Sequence, residues 1–167
     1  NLRNTANALP VLRRDDVKEL FQRQSVISPV ELESRYEVYS EQYTLAVEVE
    51  AKVALSIVRT QISPAVQKHL GSLARSISQQ QAVGLNPDQR TLQYAAELQQ
   101  RMQDQINALD DELHQLHHGD TTASMNHAAN VLLPRLLQLR DVVDGLEGLV
   151  DDDRWPLPSY REMLFVS

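Results

Sequence analysis

The sequence contains no cysteine, which excludes disulfides, thiolate catalysis and cysteine-ligated zinc. The absence of cysteine is also typical of a reducing compartment, so we expect a cytoplasmic protein. Glycine is scarce at five residues, and aromatic residues make up only 5% of the chain. So few turn-forming residues favour a fold of long helices with few connections.

Long apolar runs and clusters of positive charge are missing as well. No apolar run approaches the roughly 18 residues that a membrane span needs, and no secretory signal pattern opens the chain. The formal net charge of −7 argues against a nucleic-acid surface, which needs clustered lysine and arginine. We therefore expect neither a membrane nor a nucleic acid as partner. Because the first residue is Asn1, we expect a processed or trimmed chain, or a fragment of a longer one.

The longest helical pattern in the chain covers residues 28–83. Ser28 suits the N-cap, Pro29 the first helical position, and Glu31 completes a capping box with Ser28. Apolar residues then recur every three or four positions, which predicts one buried stripe: Leu32, Tyr36, Tyr39, Tyr43, Ala46, Val53 and Ile57. Gly84 is expected to end the helix. Pro64 removes a hydrogen bond of the helix, so the sequence predicts a kink or break near Ile62.

Two further long helices are predicted after Gly84. Asn86 and Pro87 indicate the start of the first, which should reach about His118 with this stripe: Leu92, Ala95, Leu98, Met102, Ile106, Leu109, Leu113 and Leu116. Asp120 or Thr122 should open the second, with a bend at Pro134 and this stripe: Met125, Ala128, Leu132, Leu136, Leu139, Val143, Leu146 and Val150. The connections are short enough to make neighbouring helices antiparallel.

We therefore predict an all-α fold, an antiparallel helical bundle built on one long kinked helix. Residues 1–27 should form an extended lead-in and a short helix capped by Asp15 or Asp16, residues 28–150 a three-helix bundle, and residues 151–167 an apolar docking tail. These segments should make one domain. Counting outward from the turn at Gly84 places His118 near Lys52, so the first part of the long helix should extend beyond its partners.

That extending part carries Tyr36, Tyr39 and Tyr43, which offer large apolar surfaces with polar tips. Two kinds of cover are open: residues 1–27 of the same chain, or another part of a larger assembly. The tail adds three aromatic residues, Trp155, Tyr160 and Phe165. These six residues are the candidate interface residues of the chain.

Only one cluster resembles a metal site. His114 and His118 are four residues apart, with His117, Asp110 and Asp111 beside them, and this spacing can place two ligands on one helix face. There is no HExxH motif and no second set of ligands, so we interpret these residues as solvated side chains near a helix end. The acidic run 151–153 lacks the spacing of a calcium loop and reads as a helix stop. The sequence shows no complete active site and predicts no catalytic or cofactor-binding residue.

Three blocks of the sequence resemble the C-terminal region of type III glutamine synthetases. They are NLRNTANALP at residues 1–10, VELESRYEVYSEQY at 30–43 and WPLPSYREMLF at 155–165. RTQISPA at 59–65 and VVDGLEGLV at 142–150 fit the same pattern. The resemblance covers essentially the whole chain, although residues 71–122 add little to it.

The resemblance implies a parent ligase of nitrogen metabolism that makes glutamine from glutamate, ammonia and ATP with Mg²⁺ or Mn²⁺. In that family the substrate, ATP and metal residues lie in a catalytic barrel upstream, so it implies no cofactor in this region. The chain would then be a structural C-terminal domain. Its partners would be the catalytic domain of the same chain and neighbouring subunits of a homo-oligomer.

Two alternatives of other classes remain at this point. The chain could be a free-standing helical interaction module without enzymatic activity, since helices with heptad-like stripes also pair between chains. It could also be a small metal-binding helical protein that uses His114 and His118.

Overall fold

The computed structural model of the protein describes residues 4–158 and 160–164. Its α-helices are α1 (Thr5–Ala8), α2 (Asp15–Arg23), α3 (Pro29–Ile57), α4 (Ser63–Ala82), α5 (Arg90–Gln115), α6 (Thr121–His127), α7 (Leu133–Glu147) and α8 (Tyr160–Leu164). Short 3₁₀ helices cover Leu9–Arg13 and Asp152–Arg154. No strand occurs in the described ranges, and the predicted all-α class is confirmed. None of the helices described has the length and apolarity that a membrane crossing requires.

The chain divides into two compact units. The first comprises Asn1–Lys52 and Leu109–Leu136, and the second comprises Val53–Ala108 and Leu137–Ser167. This division does not follow the three predicted segments, because α3, α5 and α7 each contribute residues to both units. The sequence pattern marks helix ends well, but it contains no signal for a division in the middle of a helix.

The predicted helix irregularity at proline occurs, but the helix does not break. A π turn, Val58–Ile62, joins α3 to α4, and the Ser63 amide donates to the carbonyl of Val58, five residues back. Because Pro64 has no N–H to offer the carbonyl four residues earlier, the wider turn accommodates it within a continuous helix. The same device precedes Pro134, where the π turn Ala128–Leu132 ends with the Leu133 amide donating to Ala128.

The N-terminal segment is helical, so the predicted extended lead-in is wrong. Asn4 caps α1 by accepting from the amide of Asn7 at 2.9 Å, and Pro10 lies at the start of the 3₁₀ turn that follows. Asparagine suits the N-cap and proline the first turn of a helix, so both residues favour helix starts here. Ala6 and Leu9 of this segment pack on Tyr36, which stabilises the helical form.

The helix ends follow local chemistry closely where a cap is present. The Ser28 capping box forms as predicted, with the Ser28 amide 2.8 Å from a carboxylate oxygen of Glu31. Gly84 has a φ of 83°, and the Leu85 amide donates to Gln80, which completes the expected glycine-based helix end. Asp120 caps α6 by accepting from the amide of Ala123 at 2.7 Å.

Two predicted ends of α5 are wrong. The helix begins at Arg90 because Asp88, and not Asn86, accepts from the first helical amide, at 2.9 Å from the Arg90 nitrogen. It ends at Gln115 instead of His118. Gly119 lies where a Cβ would be 2.7 Å from the Cβ of Ala123, so the close approach of the α6 start requires glycine there.

The predicted stripe of α3 is correct at its start and wrong further along. Leu32 and Tyr36 are buried, but Tyr39, Ala46 and Val53 are exposed. The buried face continues instead through these residues: Ser40, Thr44, Val47, Glu48, Ala51 and Leu55. Polar residues were excluded from the predicted stripe, yet Thr44 satisfies its hydroxyl by donating to the carbonyl of Ser40 at 2.9 Å.

Candidate assembly surface

Tyr36 is the centre of a small core in the first unit. The core cluster consists of Ala6, Tyr36, Met125 and Ala129, with Leu9 and Tyr43 packed against it. The Tyr36 hydroxyl lies 2.9 Å from the Thr122 Oγ1, and the Arg13 guanidinium stacks 4.3 Å from the centre of its ring. Arg13 also pairs with Glu33. Tyr36 is only 1% exposed, so this candidate interface residue is covered by its own chain, as one of the two open alternatives proposed.

Tyr39 and Tyr43 remain nearer the surface than Tyr36. Tyr39 is 42% exposed, and Tyr43 is half-buried. Partial burial raises the pKa of the Tyr43 hydroxyl, and the negative charge of Glu50 raises it further. Both residues therefore keep a surface that a partner can reach, and their role at an interface stays a prediction.

A carboxylate network lies along α3 in the same unit. A carboxylate oxygen of Glu48 is 2.5 Å from the Lys52 Nζ, and the other is 3.1 Å from the His117 Nε2. Hydrogen bonding by Lys52, assisted by His117, lowers the pKa of Glu48 despite its burial. The contact between this part of α3 and the end of α5 is made by Glu48 and His117, and the predicted proximity of His118 and Lys52 stays a prediction.

A groove of about 580 Å³ opens beside this network, between α3 and the segment that joins α5 to α6. Its lining residues are Val38, Glu41, Gln42, Thr44, Leu45, Glu48, His117, Gly119, Thr121 and Ser124. Val38 and Leu45 are 45% and 58% exposed although both are apolar. The groove therefore combines two exposed apolar side chains with the carboxylates of Glu41 and Glu48.

Sequence reasoning missed the residues of this groove. Val38 and Leu45 are seven residues apart and Val49 follows four later, a spacing that places all three on one side of α3. That signal was present in the sequence. α3 carries two apolar stripes, and spacing alone does not tell which of them is buried.

The start of the C-terminal tail is fixed on α4 in the second unit. Arg154 donates to the carbonyl of Lys68 at 3.3 Å and to the hydroxyl of Ser72 at 3.4 Å, and it pairs with Asp151 at 3.2 Å. Asp151 also lies 3.6 Å from the ring of the buried His69, which is too long for a hydrogen bond. Asp151 therefore does more than end the preceding helix, because it also pairs with Arg154.

Of the three aromatic residues predicted for docking in the tail, the structure places one in full. Trp155 is half-buried, and its indole N–H is buried without a hydrogen-bond partner in the described part of the chain. The side chain of Tyr160 and all of Phe165 lie outside the described residues, as does the predicted cap Ser159. Beside them, Met163 and Leu164 are more than half exposed.

The weak metal candidates do not form a ligand set. The His114 Nδ1 donates to the backbone carbonyl of Asp110 at 2.7 Å, and His118 lies beyond the end of α5, which removes the helical spacing between the two rings. Across residues 4–158 and 160–164, no three His, Asp or Glu side chains gather as ligands for a metal ion.

Comparison with known proteins extends the resemblance found in the sequence. Residues 1–81 match the family model of the glutamine synthetase C-terminal domain. This match covers just under half of the chain, and the resemblance predicted from the sequence is confirmed. The type-3 glutamine synthetase of Dictyostelium discoideum is 29% identical over 175 residues, which cover 99% of this chain and 24% of that protein.

Two bacterial relatives align with this chain in the same way. The glutamine synthetase of Bacteroides fragilis is 26% identical over 151 residues, covering 84% of this chain and 20% of that protein. That of Butyrivibrio fibrisolvens is 24% identical over 172 residues, covering 99% and 24%. The chain therefore spans about a quarter of the length of the curated relatives that it matches.

Proposed function

We propose that this chain is the structural, non-catalytic C-terminal domain of a glutamine synthetase. In this proposal it packs against the catalytic domain of the same polypeptide and against neighbouring subunits of a homo-oligomer. The observation that carries the proposal is the extent of the match, since 99% of this chain aligns with about a quarter of a type-3 glutamine synthetase.

The parent polypeptide would join ammonia to glutamate at the expense of ATP, with Mg²⁺ or Mn²⁺. Among the described residues, no three His, Asp or Glu side chains gather as ligands for a metal ion. In this proposal, ATP and the metal bind to polypeptide outside these 167 residues. The apolar residues exposed on one side of α3 support a packing role, since a larger exposed apolar patch marks an interaction site.

The first test is the mass of the natural polypeptide under denaturing conditions, followed by an assay of glutamine formation on that polypeptide. We expect a mass several-fold above 18.9 kDa and ATP-dependent glutamine formation. A natural polypeptide near 18.9 kDa would overturn the proposal and favour a free-standing helical module. A long polypeptide without glutamine formation would overturn the assigned reaction.

A further inference from the structure

α3 leaves an apolar stripe uncovered on the side opposite its buried face. The stripe consists of Val38, Leu45 and Val49, which are 45%, 58% and 51% exposed, and we call it the outer stripe. Leu32, Tyr36 and Val47 point to the other side and are buried. A helix that packs on one side only normally presents polar residues on the other. The outer stripe is therefore a second packing surface of the same helix.

Negative charge borders the outer stripe on one side. Glu37 and Glu41 are four residues apart and Glu48 is seven further along, so the three carboxylates share one edge of α3, which we call the acidic edge. Glu48 is paired with Lys52 and His117. Glu37 and Glu41 are exposed, and within the described residues neither forms an ion pair. Like charges at this spacing repel one another unless a cation lies between them.

The groove described above joins these two features. Val38 and Leu45 of the outer stripe and Glu41 and Glu48 of the acidic edge all line it. A volume of about 580 Å³ is enough for several side chains of a partner. A partner that fits must offer apolar side chains to one wall and a cation to the other.

We propose that the outer stripe and the acidic edge of α3 bind an amphipathic helix that carries lysine or arginine. This helix belongs to the same polypeptide, outside the 167 residues of this chain. The inference rests on the proposed function and deepens it, because it assigns the packing to one face and states the chemistry of the partner. The relatives provide the room for such a helix, since about three quarters of their length lies outside the match.

A second copy of this chain fits the surface less well. In a two-fold contact each copy presents the same patch to the other. Pairing two outer stripes in an antiparallel two-fold contact would bring the two acidic edges close to one another, and α3 carries six glutamates against only Arg35 and Lys52. Such like-charge contacts oppose association. A basic helix instead neutralises Glu37 and Glu41 while it covers the apolar stripe.

The test uses the absence of cysteine from these 167 residues. In the full natural polypeptide, with any other cysteines replaced by serine, Leu45→Cys and Val49→Cys each place one thiol in the outer stripe. Val26→Cys is the matched control, since Val26 lies in the same unit and is 69% exposed. We expect the stripe thiols to react with a maleimide reagent at least about tenfold more slowly than the control, because reaction requires access. In denaturant the three rates should be equal.

Charge reversal then tests the acidic edge. The double change Glu37→Lys and Glu41→Lys should raise the labelling rate at position 45 to that of the control. Glu50→Lys is the matched reversal, because Glu50 is exposed on the same helix but lies away from the acidic edge. It should leave the thiol at position 45 protected. If Glu50→Lys raised the labelling rate at position 45 as much as the double change did, the effect of charge would be non-specific and the inference would be overturned.

Other outcomes identify other occupants. Stripe thiols as reactive as the control in a long, active enzyme would overturn this inference and leave the proposed function intact. Protection that is lost on dilution would assign the face to another copy and overturn it as well. Protection that is independent of dilution, in a long polypeptide without glutamine formation, would retain the docking surface while the proposed reaction fails.

Discussion

At the scale of single residues, Tyr36 and Tyr39 differ most clearly. They are three positions apart on α3, yet Tyr36 is 1% exposed and Tyr39 is 42% exposed. Tyr36 also has a specific partner for its hydroxyl, at 2.9 Å from the Thr122 Oγ1. The sequence predicted both tyrosines as members of one buried stripe, because they lie three positions apart. Spacing contains no information about which side of α3 the N-terminal segment covers.

Tyr36→Phe removes that hydroxyl and keeps the ring in the core. We expect the free energy of unfolding to fall by about 1 kcal/mol, the usual net value of one hydrogen bond. Tyr39→Phe is the matched control and should change it by less than about 0.5 kcal/mol, since Tyr39 is largely exposed. Urea unfolding of the three proteins checks this. Equal stabilities of the two variants would contradict the assigned role of Tyr36.

Glu48 gives a prediction about pH. Hydrogen bonding by Lys52 and His117 lowers its pKa in the folded state, so its charge stabilises the fold at pH values above the unfolded pKa. This stability is lost as the pH falls through the folded pKa. Glu48→Gln should therefore flatten the decline in the free energy of unfolding between about pH 5 and about pH 3. A control with the same loss of charge, Glu97→Gln on the exposed face of α5, should retain the natural slope.

At the scale of elements, three caps and the irregularity before Pro64 follow from short stretches of sequence and were predictable, whereas the caps predicted at Asn86 and at Asp15 or Asp16 were wrong. Ser28, Gly84 and Asp120 act where their local chemistry places them, because each cap involves residues within about five positions. The N-terminal segment was not predictable in this way. Its helices are held by packing on Tyr36, a contact with a residue distant in sequence.

The π turns give a prediction at this scale. Because the π turn Val58–Ile62 acts as one extra residue within the helix, deletion of Thr60 should restore an ordinary α-helical turn. Pro64 would then lie in a helix interior, where proline costs about 3 kcal/mol or more. We therefore expect the deletion to destabilise the protein by about that amount.

Adding Pro64→Ala to the deletion of Thr60 should recover most of the loss, because alanine restores the missing N–H. Thr60 itself is exposed, and its hydroxyl donates only to the carbonyl of Ser56, so its side chain contributes little to the effect. Urea unfolding of the deletion, of Pro64→Ala and of the combination completes the cycle. Failure of the combination to recover stability would show that the π turn is required for a reason other than proline.

The outer stripe shows the limit of prediction at the element scale. Apolar spacing places Leu32, Tyr36 and Val47 on one side of α3 and Val38, Leu45 and Val49 on the other. Both patterns are helical, so the helix was predicted correctly from either. Which side is buried within this chain depends on tertiary packing, and the buried Ser40, Thr44 and Glu48 show that the covered side includes polar residues that apolar spacing does not mark.

At the scale of the whole molecule, the resemblance to glutamine synthetases was predictable from distinctive blocks of the sequence, while the division into two units was not. A family resemblance depends on individual residues at distinctive positions. The division into two compact units depends on how the long helices α3, α5 and α7 contribute residues to both units, and no local sequence motif indicates it. The interface role of the tail stays a prediction at this scale, because it concerns polypeptide outside the chain.

Trp155→Ala in the full polypeptide tests that role. The buried indole N–H of Trp155 has no acceptor in the described part of the chain, and a docked partner would supply one. We expect the concentration at which the particle dissociates to rise at least about tenfold, the effect of 1.4 kcal/mol at an aromatic contact. Tyr94→Ala is the control, since Tyr94 is an exposed aromatic residue outside the predicted interface. Unchanged particle mass and activity in Trp155→Ala would contradict the prediction.

The apolar side of α3 has a practical consequence for anyone who produces this chain by itself. Carboxylates beside Leu45 and Val49 keep separate molecules apart by repulsion only while the protein carries net negative charge. The isoelectric point of the sequence is near 5.2, so mildly acidic buffers remove that colloidal protection. The recombinant chain should therefore be purified and stored at neutral or alkaline pH, well above that isoelectric point.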